Sequence, residues 1–246
     1  MHLFGVLCWM LSAFFANFWR DPDRKIPQDE GVLVSPADGH VMFVRRERAT
    51  GRRPNKEELD SELIESDKLT GPWYPEAIEK PLSFATEQRF ESVPEGEESP
   101  TDVFRIAIFM SPLDVHVNRS PCAATIERME HRTGQGRRRG PFLPAMKKES
   151  EHNERVRTVL LCEDELRIEV CQISGALART IVPWTTVGDE LRRGQRYGMI
   201  RLGSRVDVRA PAKLFTPIVE SAESGNSNLP KGQFVQAGSS ILFKRK

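Results

Sequence analysis

From Thr158 to Val208 the chain is divided into short apolar runs, "TVLLCED", "LRIEVCQISG", "ARTIVPW" and "GMIRLGSRVDV". Their β-branched and aliphatic residues, separated by turn formers, give the pattern of closely spaced strands rather than amphipathic helices. "GVLVSPADGHVMFV" adds two strand-like runs around a Pro-Ala-Asp-Gly turn, and Val103 to Phe109 reads as a buried strand. The expected fold is therefore mainly β, of α+β class, with a β-rich sandwich or barrel-like domain and few helices. At 246 residues the chain can bury a sizeable core.

A weak repeat lies near the end. "VGDELRRGQRYGMI" and "KGQFVQAGSSILF" each place glycines six apart (Gly188 and Gly194; Gly232 and Gly238) before an apolar strand. Such glycine turns resemble the hairpins of biotinyl and lipoyl carrier domains, which raises a second class of function, a carrier or lipid-binding module without chemistry of its own. A carrier needs a lysine at the hairpin tip in a Met-Lys-Met-like setting, and neither half supplies it.

The first twenty residues are of a different kind. "LFGVLCWMLSAFFANFW", Leu3 to Trp19, carries no charge and then meets "RDPDRK". Seventeen residues are at the lower limit for crossing a bilayer, and the basic start of a signal peptide is missing. Phe14, Phe15, Phe18 and Trp19 suit the membrane interface. Residues 1–19 are read as a hydrophobic membrane anchor and 20–246 as the functional domain. Within it, 48–101 loses periodicity, is acidic and rich in turn formers, and is expected to be a long, partly disordered surface insertion. Arg137, Arg138, Arg139, Lys147 and Lys148 form a basic cluster suited to an anionic membrane surface. A net charge of +1 and the lack of aromatics interleaved with that cluster argue against nucleic acid. Four cysteines without CxxC spacing imply a reducing, cytosol-facing location and no structural zinc.

The strand at 198–208 holds an anomaly. Ile200, Leu202, Val206 and Val208 alternate with Arg201, Arg205 and Asp207, as in a half-buried strand, yet Ser204 occupies the inward position between Leu202 and Val206, preceded by Gly203. A serine hydroxyl is a weak nucleophile until a base activates it against a carbonyl. The carbonyl on the far side of its own amide belongs to Gly203, which has no side chain and tolerates unusual backbone angles. Attack there would turn the amide into an ester. Loss of the Ser204 α-proton would then expel the ester, cut the chain and leave dehydroalanine, which hydrolyses to a pyruvoyl group. Gly238-Ser239 presents the same dipeptide.

"SPADGHV", "FMSPLDVHVNRSP", "NERV" and "YGMIRLGSRVDV", with "FWRDPDRKIP" ahead of them, together resemble the short prokaryotic branch of the phosphatidylserine decarboxylase family. In that branch the processing serine stands in an Arg-x-Gly-Ser-Arg-Val-Asp context, which selects Ser204 over Ser239. The resemblance implies cleavage between Gly203 and Ser204 into a long chain, 1–203, and a short one, 204–246, that stay together as a heterodimer. Ser204 becomes a pyruvoyl cofactor that forms a Schiff base with phosphatidylserine, releasing carbon dioxide and phosphatidylethanolamine, and no metal is needed. His116 falls on the family's histidine motif and is assigned proton transfer, and Asp38 in the Ala-Asp-Gly turn could orient it. Arg119 stands where the long branch has a second histidine; it cannot act as a base but could bind the substrate phosphate or carboxylate. His2, His40, His131 and His152 receive no role. The alternative within the same chemistry is a pyruvoyl decarboxylase acting on another amine-bearing acid.

Overall fold

The computed structural model describes residues 2–67, 70–133, 145, 150, 152–176, 180–201, 203–221 and 232–246. A single α-helix, α1 (His2–Phe18), precedes the strands among these residues. Strands β1 (Val32–Val34) and β2 (Gly39–Arg52) flank the Pro-Ala-Asp-Gly turn, and β3 (Glu65–Asp67), β4 (Gly71–Pro75) and β5 (Gln88–Ser92) follow in the acidic stretch. Next come β6 (Asp102–Met110), β7 (Val117–Arg119), β8 (Ala124–Arg132), β9 (Arg155–Leu161) and β10 (Arg167–Ile173). The last part adds β11 (Thr180–Pro183), β12 (Glu190–Leu191), β13 (Arg196–Arg201) and β14 (Ser204–Pro211). β15 (Phe215–Pro217), β16 (Phe234–Val235) and β17 (Ile241–Arg245) complete it.

An eleven-stranded antiparallel sheet runs β12-β8-β9-β10-β14-β6-β2-β4-β3, with β5 and β16 also paired to β2. Two three-stranded sheets, β1-β17-β15 and β11-β13-β7, lie beside it. The mainly β expectation holds. Alternation along β14 explains the core: Val206 faces Ile108 and Val208 faces Ile106 across β6, while Gln172 and Val170 oppose the same residues on β10. These apolar side chains are fully buried, each contributing roughly 1.5–3 kcal/mol.

The other face of the sheet differs from a half-buried strand pattern. Arg205, Asp207 and Arg209 point away from the core, yet Arg205 and Asp207 are only 0% and 1% exposed. Residues of the 48–101 stretch cover that face. Trp73, Ile78 and Leu82 of that stretch are buried, Trp73 lines a cavity together with Arg105, Arg157 and Arg209, and Glu87 joins Arg155 of β9 at 2.6 Å. Polar alternation in the sequence is the same whether water or another layer meets the outer face, so this covering was not legible from the strand alone.

The glycine turns of the internal repeat meet each other. A Cβ on Gly238 would stand 3.6 Å from the Gly194 Cα and 3.0 Å from Arg119 Cδ, and one on Gly194 would collide with Ile26 at 2.4 Å. Only glycine permits this approach. The helix α1 packs on the body at its end alone: Phe18 is 4% exposed, whereas Leu3, Phe4 and Trp9 are 85%, 74% and 72% exposed. No helix among the described residues is long and apolar enough to cross a membrane. The basic cluster Arg137–Arg139, Lys147 and Lys148 lies outside the described residues.

Candidate active site

The chain changes sheets at Gly203. β13 pairs with β7 in a three-stranded sheet, whereas β14 pairs with β6 in the large one, beginning with Ser204 opposite Met110. Gly203 thus lies between the two ladders, in a left-handed conformation at φ +62°, with nothing within 4 Å of where a Cβ would stand. A side chain there would be strained, and the free space leaves the peptide approachable. Ser204 is fully buried, and its Oγ has no hydrogen-bond partner. A buried hydroxyl without a partner costs about 1–3 kcal/mol. Ser239, by contrast, is partly exposed in the turn before β17.

His116 is set by the turn that precedes β7. Ser111 donates its backbone N–H to Asp114 Oδ2 at 2.7 Å, closing the turn. The His116 carbonyl accepts the Ile200 N–H at 3.2 Å, which ties it to β13 just ahead of Gly203. Its Nδ1 lies 2.8 Å from the Asp114 carbonyl. A carbonyl only accepts, so Nδ1 carries the proton and Nε2 keeps a free lone pair. That Nε2 is buried and unpartnered. Burial, in part under the Phe18 ring 4.4 Å away, lowers the imidazole to about 4 and outweighs the carbonyl contact and charge of Asp114, which raise it. His116 is therefore a neutral imidazole with an unused basic nitrogen.

Asp38 is also buried, but it does not meet a nitrogen of His116. Arg24 holds its Oδ2 at 2.7 Å and the Ala237 N–H its Oδ1 at 2.7 Å. Burial raises its pKa against the lowering effects of Ala237 and Arg24, and the nearby Asp114 charge adds to the rise. Arg119 donates to Gly194 O at 3.1 Å, Asp21 Oδ1 at 2.9 Å and Pro22 O at 3.1 Å. It thereby fastens the 21–22 segment to one of the glycine turns. His116 is thus bonded through its backbone to β13 three residues ahead of Gly203, while Asp38 holds Arg24 and the Ala237 turn and Arg119 holds the 21–22 segment and the Gly194 turn. His40 instead contacts the Gly232 carbonyl at 3.0 Å, apart from this group.

Three residues escaped the sequence reading. Phe18 belongs to the apolar leading segment yet covers His116. Ser174 follows Ile173, the partner of Arg205, and so stands beside Ser204 at the ladder's end; its Oγ is also buried and unpartnered. Gln172 donates to Asn118 Oδ1 at 2.8 Å, and its own Oε1 is unpartnered. The signal for Ser174 was available: in "QISG" a hydroxyl interrupts an apolar strand, as Ser204 does.

The profile described as phosphatidylserine decarboxylase matches residues 11–243. A relative from Erythrobacter litoralis named "Phosphatidylserine decarboxylase proenzyme" is 36% identical over 243 residues, covering 97% of this chain and 77% of its own. One of the same name from Streptomyces griseus is 52% identical over 202 residues, covering 82% and 65%. A third, from Symbiobacterium thermophilum, is 34% identical over 209 residues, covering 85% and 73%. No solved structure matches the chain. With the profile spanning nearly all of the sequence and these relatives alike along most of it, the chain belongs to the phosphatidylserine decarboxylase family.

Proposed function

We propose that the protein is a proenzyme that cuts itself between Gly203 and Ser204 and then decarboxylates phosphatidylserine to phosphatidylethanolamine. The observation that supports this reading is that the Ser204 hydroxyl and the His116 Nε2 are each buried without a partner, next to a glycine at φ +62° between the two ladders. His116 Nε2 takes the Ser204 hydroxyl proton as Oγ adds to the Gly203 carbonyl. Collapse expels the Ser204 nitrogen, which regains a proton, and leaves an ester. A base then removes the Ser204 α-proton, and elimination releases the Gly203 carboxylate as the end of the 1–203 chain. Dehydroalanine remains at the new terminus, and water hydrolyses it with loss of ammonia.

The residues fit the resulting pyruvoyl group: the Ser204 position is dry, and Ser174 and Gln172 offer unpartnered polar atoms beside it. When formed, that group supplies the electron sink that decarboxylation of an amine-bearing acid requires. His116 remains the proton donor or acceptor at the site. Asp38 fixes the Ala237 turn and the Arg24 segment through its two carboxylate oxygens. Arg119 lies where a substrate phosphate or carboxylate would compete with Asp21 for its guanidinium.

Substrate delivery follows from α1. Its exposed apolar residues, with Trp19 and Leu113 at its base, form a surface suited to the bilayer interface. Arg20 ties this base to the site turn by donating to the Leu113 carbonyl at 2.8 Å. The protein sits peripherally on the membrane with the site at headgroup depth. Reaction of the purified protein with phosphatidylserine vesicles, read as phosphatidylethanolamine formed, tests the activity. An intact chain that turns over phosphatidylserine would overturn the processing step, and a cleaved chain inactive on it would overturn the substrate.

A further inference from the structure

Two of the four cysteines meet in a place that the decarboxylation chemistry does not use. The Sγ atoms of Cys122 and Cys162 lie 3.0 Å apart, and both thiols are free. That separation is about 1 Å longer than a disulfide bond. The pair stands at one end of the β8–β9 ladder, just past the opposition of Thr125 to Leu161. Cys122 is buried, whereas Cys162 is partly open to solvent where β9 enters the turn to β10.

Both backbones are held. The Cys162 N–H donates to the Leu166 carbonyl at 2.7 Å, closing the β9–β10 turn. Ser120 Oγ donates to the Cys122 carbonyl at 2.8 Å. The Pro121 carbonyl accepts the Val34 N–H at 3.0 Å, and the Ser120 carbonyl accepts the Gly194 N–H at 2.8 Å. Thiols fixed in contact in this way have already lost most of the freedom that joining them would cost. A buried cysteine without such a neighbour is an inert small hydrophobe. Cys171 is of that kind, its thiol pushed up to about 12 by burial. Cys122 and Cys162 differ because each is the other's neighbour. Contact with Cys162, then burial, raises the Cys122 thiol, while contact with Cys122 lowers that of Cys162 against burial and the Glu163 charge. The partly exposed sulfur is thus the more readily ionised, and the buried one is within reach to complete a bond.

We propose that Cys122 and Cys162 form a reversible disulfide by exchange with a small-molecule disulfide. The Cys162 thiolate attacks one sulfur of that oxidant, whose S–S bond breaks and releases one thiolate, leaving a mixed disulfide on Cys162. Cys122 gives up its proton, attacks Cys162 Sγ and expels the second small thiol. The cysteine pair loses two electrons and two protons, and the small disulfide gains them as two thiols. In a reducing compartment the pair rests as a dithiol. Oxidation staples the segment that follows β7 and its Arg119 to the β9–β10 turn. Both cysteines precede Gly203, so the crosslink forms whether or not the chain is cut there.

The test uses the full-length protein in detergent, reduced, freed of reductant and then exposed to oxidised glutathione. Cys8→Ser is the background, because Cys8 is exposed on α1 and offers a route to crosslinked copies. After free thiols are trapped with N-ethylmaleimide, peptide mapping should find residue 122 linked to 162, and dithiothreitol should reverse the link. The staple closes a loop of about 40 residues and should raise Tm by about 5–15 °C over the reduced protein. Cys162→Ser should lose both the link and the rise. Its partly exposed position favours an intact fold, and mapping of the chain with Cys122 and Cys162 in place needs no folded variant at this pair. Folded protein that yields no 122–162 link would overturn the proposal. So would a glutathione adduct left standing on Cys162, or linked protein that melts with the reduced form.

Discussion

Replacing Phe18 by alanine should make self-cleavage sensitive to mild acid. The Phe18 ring lies 4.4 Å from that of His116 and belongs to the burial that holds the imidazole at about 4. Its loss admits water to the ring and returns the imidazole towards its ordinary value, about 6.5. At pH about 5.5, a group titrating at about 4 is roughly 97% neutral, whereas one at about 6.5 is roughly 9% neutral. Processing that needs the neutral Nε2 should therefore slow by about tenfold at that pH and be little changed near pH 8. The assay follows conversion of freshly synthesised precursor into two chains, by denaturing gel across pH 5–8, in detergent so that membrane binding plays no part. Because α1 is otherwise exposed, the substitution should leave the sheets folded, which circular dichroism verifies. A pH profile identical to that of the parent would refute the reasoning, as would equal slowing at all pH values.

Deleting residues 2–16 should spare processing and turnover of detergent-dispersed phosphatidylserine but markedly reduce turnover on vesicles, whereas deleting 2–19 should also reproduce the Phe18→Ala acid sensitivity; cleavage rates and vesicle sedimentation measure both. Denaturant unfolding of the Ser204→Ala precursor should show stability falling as pH drops from about 6.5 to about 4, because His116 binds a proton more readily unfolded than folded. With the folded value at about 4, the loss integrates to about 3 kcal/mol and should be smaller in a Phe18→Ala background. Arg119→Met should loosen the Asp21–Pro22 segment, raising the KM for phosphatidylserine more than it lowers kcat; an unchanged KM would remove Arg119 from the substrate's path.

The inward placement of Ser204 was legible, because strand alternation fixes which side chains share a face. So was the tolerance of Gly203 for unusual backbone angles, whereas its left-handed φ of +62° came from the structure. The choice of His116 among five histidines rested on family resemblance, since no local pattern sets one histidine apart. The Phe18–His116 contact was hidden because its partners are far apart in sequence and α1 reads as uniformly apolar. The covering of Arg205 and Asp207 was hidden for another reason. A charged residue paired under a second layer and one facing water leave the same period of two, and only the pairing partners, scattered from Glu47 to Glu169, distinguish them.

Self-cleavage at one peptide bond is the central claim, and mass spectrometry of the intact purified protein tests it most directly. The account predicts two chains, 1–203 ending in a free carboxylate at Gly203 and 204–246 lighter than its sequence mass by one ammonia, as a pyruvoyl terminus requires. Ser204→Ala should give a single uncut chain, and Ser239→Ala the same two chains as the parent. Cleavage after Gly238, or a Ser204→Ala protein still divided at 203, would contradict it.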